Sequence, residues 1–118
     1  MGIIRREIEI FGLRKSKKIL ALFDSGAYWN YLSPNLDEDT PDDIGFHVYE
    51  GQHDAILANQ EIASGESVRF KKVLIENKTI DEPRFFILKQ MLELAIIGAD
   101  TMQKLGIYID FVNDRLVI

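Results

Sequence analysis

Apolar and polar residues alternate along most of this 118-residue chain, which is the period of half-buried strands rather than of helices. In 6–11, Glu7 and Glu9 fall on one face and Ile8 and Ile10 on the other. Residues 12–16 supply a turn begun by Gly12, and 17–23 return as a second strand. Its end, Leu20-Ala21-Leu22-Phe23, is apolar on both faces, the mark of a deeply buried strand. A third strand is expected at 28–32, stopped by Ser33-Pro34. Short strands follow at 45–50, 55–58 and 61–63, with 51–54 as a turn and Asn59-Gln60 as a hairpin tip. Residues 68–75 alternate over the longest stretch and read as one strand. Asn77-Lys78 reads as a turn, Pro83 delays the next strand to 84–88, and the apolar run 94–97 stops at Gly98. Only 99–105 is helical by composition, with Ala99, Met102, Gln103, Lys104 and Leu105 as helix formers and Gly106 as the stop. A hairpin of 108–111 with 115–118, around Asn113-Asp114, closes the chain. The expectation is a single, mainly β domain over 1–118 with one short helix near the C-terminus.

Composition narrows the possible functions. With 47% hydrophobic and 28% charged residues the chain reads as an ordinary globular protein. No apolar run approaches the ~20 residues of a membrane-spanning helix, so no membrane partner is expected. A net charge of −5 argues against nucleic acid, whose phosphates demand a basic face. There is no cysteine, hence no disulfide framework and no thiolate nucleophile or ligand. Residues 1–7 lack the uncharged core of a secretory signal, and the expected location is the cytoplasm. Asp37, Glu38, Asp39, Asp42 and Asp43 crowd one segment, and Arg14, Lys15, Lys17 and Lys18 crowd another. Both read as separate solvated loops, and the acidic one lacks the spacing and internal glycine of an EF-hand. His47 and His53 have no adjacent ligand motif, so neither a metal nor a cofactor is expected.

The candidate chemistry lies in Asp24-Ser25-Gly26, delivered by the apolar strand ending at Phe23. One reading is structural: Asp24 bonds nearby backbone N–H groups in a turn in which Gly26 takes a positive φ. The other is catalytic: a carboxylate emerging from the core where a buried strand ends. The apolar run Ile96-Ile97-Gly98 leading into the helix, and the closing hairpin after it, favour the second.

Leu22-Phe23-Asp24-Ser25-Gly26-Ala27 resembles the active-site motif of the retropepsins, the single-domain aspartic peptidases of retroviruses and their cellular relatives. Ala95-Ile96-Ile97-Gly98-Ala99-Asp100 resembles their second hallmark, two aliphatics and a glycine before the only helix. The resemblance covers about 8–118. It implies a retropepsin-like acid-protease fold, a closed β-barrel-like domain, with Asp24 catalytic and Ser25 and Gly26 supporting its loop. It further implies that Ala27 offers its carbonyl to an extended peptide while Ala58, Asn59 and Gln60 close over it. Gln60 departs from the glycine usual in such tips, and Asn59, which tolerates a left-handed conformation, is expected to make the tip tight.

Aspartic-peptidase chemistry needs two carboxyls, one ionised as general base toward water and one protonated toward the scissile carbonyl. The triplet occurs once, so the second Asp24 is expected from a symmetry mate in a homodimer, with the terminal strand 115–118 in the interface. The partner is then a peptide or protein substrate. The alternative is a non-catalytic peptide-binding or dimerisation module of the same fold. Asp100 is expected to favour the helix dipole, Asp110 to bond a turn, and Tyr28, Trp29 and Tyr31 to form core and groove wall.

Overall fold

The computed structural model describes residues 4–56 and 59–118. Eleven strands and two short helices follow in the order β1 (Ile4–Phe11), β2 (Ser16–Phe23), β3 (Tyr31–Leu32), α1 (Pro41–Ile44), β4 (Val48–Ile56), β5 (Ile62–Arg69), β6 (Lys72–Ile75), β7 (Lys78–Asp81), β8 (Arg84–Ile87), β9 (Ala95–Ile97), α2 (Ala99–Leu105), β10 (Tyr108–Asp110) and β11 (Arg115–Val117). Nine strands form one sheet in the order β4-β5-β8-β3-β9-β2-β1-β6-β7, curled into a half-barrel, and β10-β11 stand apart as a hairpin. No described helix is long and apolar enough to cross a membrane.

The alternation of β1 puts Ile8 and Ile10 into the core against Phe70, Val73 and Phe85, all essentially inaccessible. Each such side chain contributes about 1.5–3 kcal/mol relative to leaving it in water. The run 68–75 is not one strand. It breaks at Phe70-Lys71, where Lys71 N–H donates to Phe11 O and Phe70 N–H to Pro83 O. Its first half pairs with β4 and β8, its second with β1 and β7. The unbroken apolar rhythm hides this bend because Val68, Phe70, Val73 and Ile75 all face the core on either side of it. β7, at Lys78-Thr79-Ile80-Asp81, was obscured by its polar composition; it is an edge strand with only one partner.

The charged segments are not independent loops. Asp39 pairs with Lys15 and, at 2.7 Å, with Lys17. The acidic segment also contains α1, a second helical turn that composition did not suggest. Its start is a capping box: the Thr40 hydroxyl accepts from Asp43 N–H, the Asp43 carboxylate accepts from Thr40 N–H, and Pro41 opens the first turn. Buried Leu36 and Ile44 anchor it. Arg14 N–H donates to Ile44 O at 3.0 Å, and Gly12 is obligatory, since a Cβ there would lie 2.2 Å from that oxygen.

The expected turn at 51–54 is instead part of β4. Tyr49 pairs with Val68 and Gly51 with Ser67, leaving Glu50 as the extra residue of a bulge with Gly51 at φ +87°. The Glu50 carboxylate accepts from Ser67 Oγ (2.9 Å), Arg69 Nε (3.0 Å), Arg84 Nε (2.9 Å) and Arg84 Nη2 (3.3 Å). Burial alone pushes this carboxyl up, but the bonds from Arg84, Arg69 and Ser67 outweigh it and hold the group at about 2. A carboxyl depressed on folding stabilises the protein above its unfolded pKa and ceases to do so as pH falls through the folded one. Stability on the order of 2–3 kcal/mol should therefore be lost between about pH 4.5 and 2. Thermal melts across that range should show Glu50→Gln less stable than the parent at pH 7 and nearly equal to it at pH 2. A gap that does not shrink on acidification contradicts this account.

Candidate active site

The Asp24 loop is built by threading one strand between its two arms. β9 runs parallel to β2 (Phe23 opposite Ile97) and antiparallel to β3 (Tyr31 opposite Ile96). The pairing continues past β2, since Asp24 N–H donates to Ile97 O at 3.0 Å. Ala27 N–H then returns to Asp24 O at 3.1 Å, and Gly26 N–H donates to Asp24 Oδ1 at 2.9 Å. The turn expected of the triplet is therefore present, though without the positive φ expected at Gly26, and it fixes the carboxylate with one oxygen engaged.

The start of α2 secures the other side of the loop. Ala99 N–H donates to Ala27 O at 2.7 Å and Asp100 N–H to Tyr28 O at 3.0 Å. Gly98 permits this approach: a Cβ there would lie 2.2 Å from Trp29 O, 2.7 Å from Tyr28 O and 2.8 Å from Ala27 O. Asn30, 5% exposed, completes the joint. Its Oδ1 accepts from Gly98 N–H at 3.1 Å, and its Nδ2 donates to Thr101 Oγ1 at 2.8 Å and Arg84 O at 3.1 Å. Sequence reasoning passed over Asn30. The signal was available in Tyr28-Trp29-Asn30-Tyr31-Leu32, since an amide inside an otherwise apolar run needs designated partners.

Asp24 is half-buried beside a groove of about 500 Å³ that Leu22, Ala27, Tyr31, Leu88, Met91 and Ile96 line, with Asn59 reaching it from the hairpin tip. Burial pushes the Tyr31 phenol up, keeping it a neutral hydroxyl. Glu93 also borders the groove but is ion-paired with Arg5 at 2.6 Å. Among the described residues no cation pairs with Asp24.

The structure brings together Asp24, Ala27 and Asn59. Ala27 borders the groove, and its carbonyl accepts from Ala99 N–H. Exposed Ser25 borders a second cavity of about 280 Å³, together with Met102, Ile107, Tyr108 and Phe111. At the tip Gln60 takes the left-handed conformation (φ +67°), and Asn59 Oδ1 accepts from Glu61 N–H at 3.0 Å. Ala58 lies outside the described residues. His47 pairs with Glu82 at 3.0 Å and His53 Nε2 lies 2.9 Å from Glu50 O. Asp100 bonds Lys104, and Asp110 takes the Val112 and Asn113 N–H groups in the last turn.

No family model matches the sequence. No curated protein matches it either. Solved structures do. A retroviral protease-like domain of Ddi1 from Leishmania major superposes with a TM-score of 0.68, over 100% of this chain and 89% of its own, at 15% identity. The chain has a retropepsin-like fold. A retropepsin-like aspartic protease from Rickettsia conorii gives 0.62, over 93% of this chain and 76% of its own, at 18% identity. At these identities the likeness shows the retropepsin-like fold alone.

The loop packing makes two glycines unequal. Gly98→Ala drives a methyl into three backbone oxygens and should cost about 3 kcal/mol. Gly106→Ala, with nothing within 4 Å but φ +66°, should cost about 1 kcal/mol. Denaturant melts of the two variants measure the difference, and equal midpoints would contradict the role given to Gly98.

Proposed function

We propose that the chain is one single-domain subunit of a homodimeric aspartic endopeptidase, in which Asp24 of two copies face each other across a two-fold axis. The observation that carries this reading is Asp24 itself: a carboxylate with no cation partner among the described residues, fixed beside an apolar groove at the end of β2, whose Ile19, Ala21 and Phe23 are buried although Leu20 is half exposed. The solved neighbours support it, since one of them is described as an aspartic protease. So does the detached β10-β11 hairpin, where Tyr108 and Phe111 are exposed beside the Ser25 cavity and Val112 and Ile118 are exposed as well. Val112 is 91% accessible in the single chain, a cost that a second copy relieves.

In the pair, one proton is shared because two like charges about 3 Å apart resist double ionisation. The ionised carboxylate takes a proton from water as its oxygen attacks the scissile carbonyl carbon. The protonated carboxyl donates toward the carbonyl oxygen. Collapse of the tetrahedral adduct breaks the C–N bond, and the leaving nitrogen receives a proton from the dyad. The two titrations belong to the pair rather than to either chain. An extended peptide lies under the β4-β5 hairpin, its main chain held as an added strand. A large apolar side chain enters the groove of Leu22, Tyr31, Met91 and Ile96. We place this activity in the cytoplasm, with no cofactor.

Asp24→Asn decides the reading. The variant should fold and dimerise as the parent does, by melting and sedimentation, and lose at least about 10³-fold in peptide cleavage. A folded Asp24→Asn dimer with full activity removes Asp24 from the mechanism. Peptide binding by the parent without turnover between pH 4 and 7 would favour a non-catalytic binding module, a reading that Gln60 in the hairpin tip supports.

A further inference from the structure

Glu50 lies outside the groove, yet it takes four hydrogen bonds at the root of the hairpin whose tip borders it. We infer that Glu50 is a positioning residue for peptide binding, holding the β4-β5 hairpin over the groove by joining it to β8 and, through Arg84 and Asn30, to the Asp24 loop. This rests on the peptidase reading only for its kinetic consequence.

The geometry comes from the bulge. Without it, β4 would touch only β5, its single neighbour in the sheet. The extra residue directs the Glu50 carboxylate across β5 to Arg84 on β8, which grips it through Nε and Nη2 while Arg69 and Ser67 hold it from β5. A guanidinium fork fixes direction as well as distance, which a single ammonium contact does not. The Arg84 guanidinium also stands 5.8 Å from the Trp29 ring, and its carbonyl accepts from Asn30 Nδ2. Asn30 in turn holds Gly98 N–H, the backbone against which the Asp24 loop rests. One carboxylate therefore links the arm above the groove to the loop beneath it.

Leverage makes the root matter. From Glu50 to Ile56 the strand extends about 20 Å at ~3.3 Å per residue. A rotation of about 3° at the bulge thus moves that end by about 1 Å, enough to spoil main-chain hydrogen bonds from the hairpin to a bound peptide. Removing the Glu50 charge does more than release the arm. It leaves Arg69 and Arg84, each about one-third exposed, side by side without their shared counter-ion.

Two measurements on the full chain test this. In cleavage of a peptide with a central apolar residue, Glu50→Gln should raise KM about tenfold and leave kcat within about threefold, with Arg84→Lys behaving alike. Asp39→Asn, which breaks the ion pairs to Lys15 and Lys17 away from the groove, should lower stability and leave KM unchanged. An unchanged KM in Glu50→Gln, or an equal rise in Asp39→Asn, overturns the inference. Amide hydrogen exchange needs no substrate. Glu50→Gln should speed exchange in β4-β5 and at Ala27 and Ala99 about tenfold more than at Ile8 and Ile10, whose amides follow the loss of global stability. Acceleration confined to the hairpin, or spread evenly over every strand, overturns it. If the parent cleaves nothing, the peptidase reading fails and the exchange result alone decides this one.

Discussion

The architecture depends on a close approach between two pieces of backbone. Gly98 lies against the carbonyls of Ala27, Tyr28 and Trp29 with no room for a side chain, and this contact lets β9 slide between the arms that flank Asp24. Once it is made, much of the loop's hydrogen bonding is settled. The amides of Asp24, Ala99 and Asp100 each find a carbonyl, and Asn30 takes the Gly98 amide. The part of the backbone buried at this joint is otherwise expensive, because every unpaired amide or carbonyl inside a protein costs about 1–3 kcal/mol. The fold meets that cost by using the end of a strand and the start of a helix as the loop's hydrogen-bond partners. Asp24 is held by backbone on both sides, so its position depends little on flexible side chains.

Charge is distributed with the same economy. The groove is apolar apart from Asp24, Asn59, Gln90 and the paired Glu93. The stronger ionic clusters lie elsewhere: Asp39 with two lysines fastens the acidic segment to the β1-β2 turn, and Glu50 with two arginines fastens the hairpin root. Both clusters join segments far apart in sequence. The groove is left to a ligand whose affinity comes from main-chain bonds and buried apolar surface.

The local features of the chain were legible in its sequence. The β1-β2 alternation, the Asp24 turn, the helix stopped by Gly106 in a left-handed conformation and the closing hairpin all appear where short-range patterns place them. What escaped detection depends on partners distant in sequence. Periodicity cannot show that 62–75 divides between two sheet neighbours, because both halves send their apolar residues to one core. Composition cannot show that Asp39 meets Lys15 and Lys17, or that Glu50 meets Arg84, because the pairing is made only by the curl of the sheet. α1 was hidden by its brevity, although Thr40, Pro41 and Asp43 carry the capping signal. In the candidate site, the carboxylate and the glycines were readable. Asn30 and the lever at Glu50 were not, since a polar residue's role is set by what surrounds it.

The threading of β9 also has a consequence for the chain's birth. Residues 21–23 pair with 95–97, so the Asp24 loop is synthesised well before the strand that supports it. Such long-range parallel pairing is slow to form because the intervening chain must be ordered first. A ribosome-bound chain that has emerged only as far as β8 carries Asp24 but has nothing to hold it. The groove and the loop are thus completed together, only once β9 and α2 have been made.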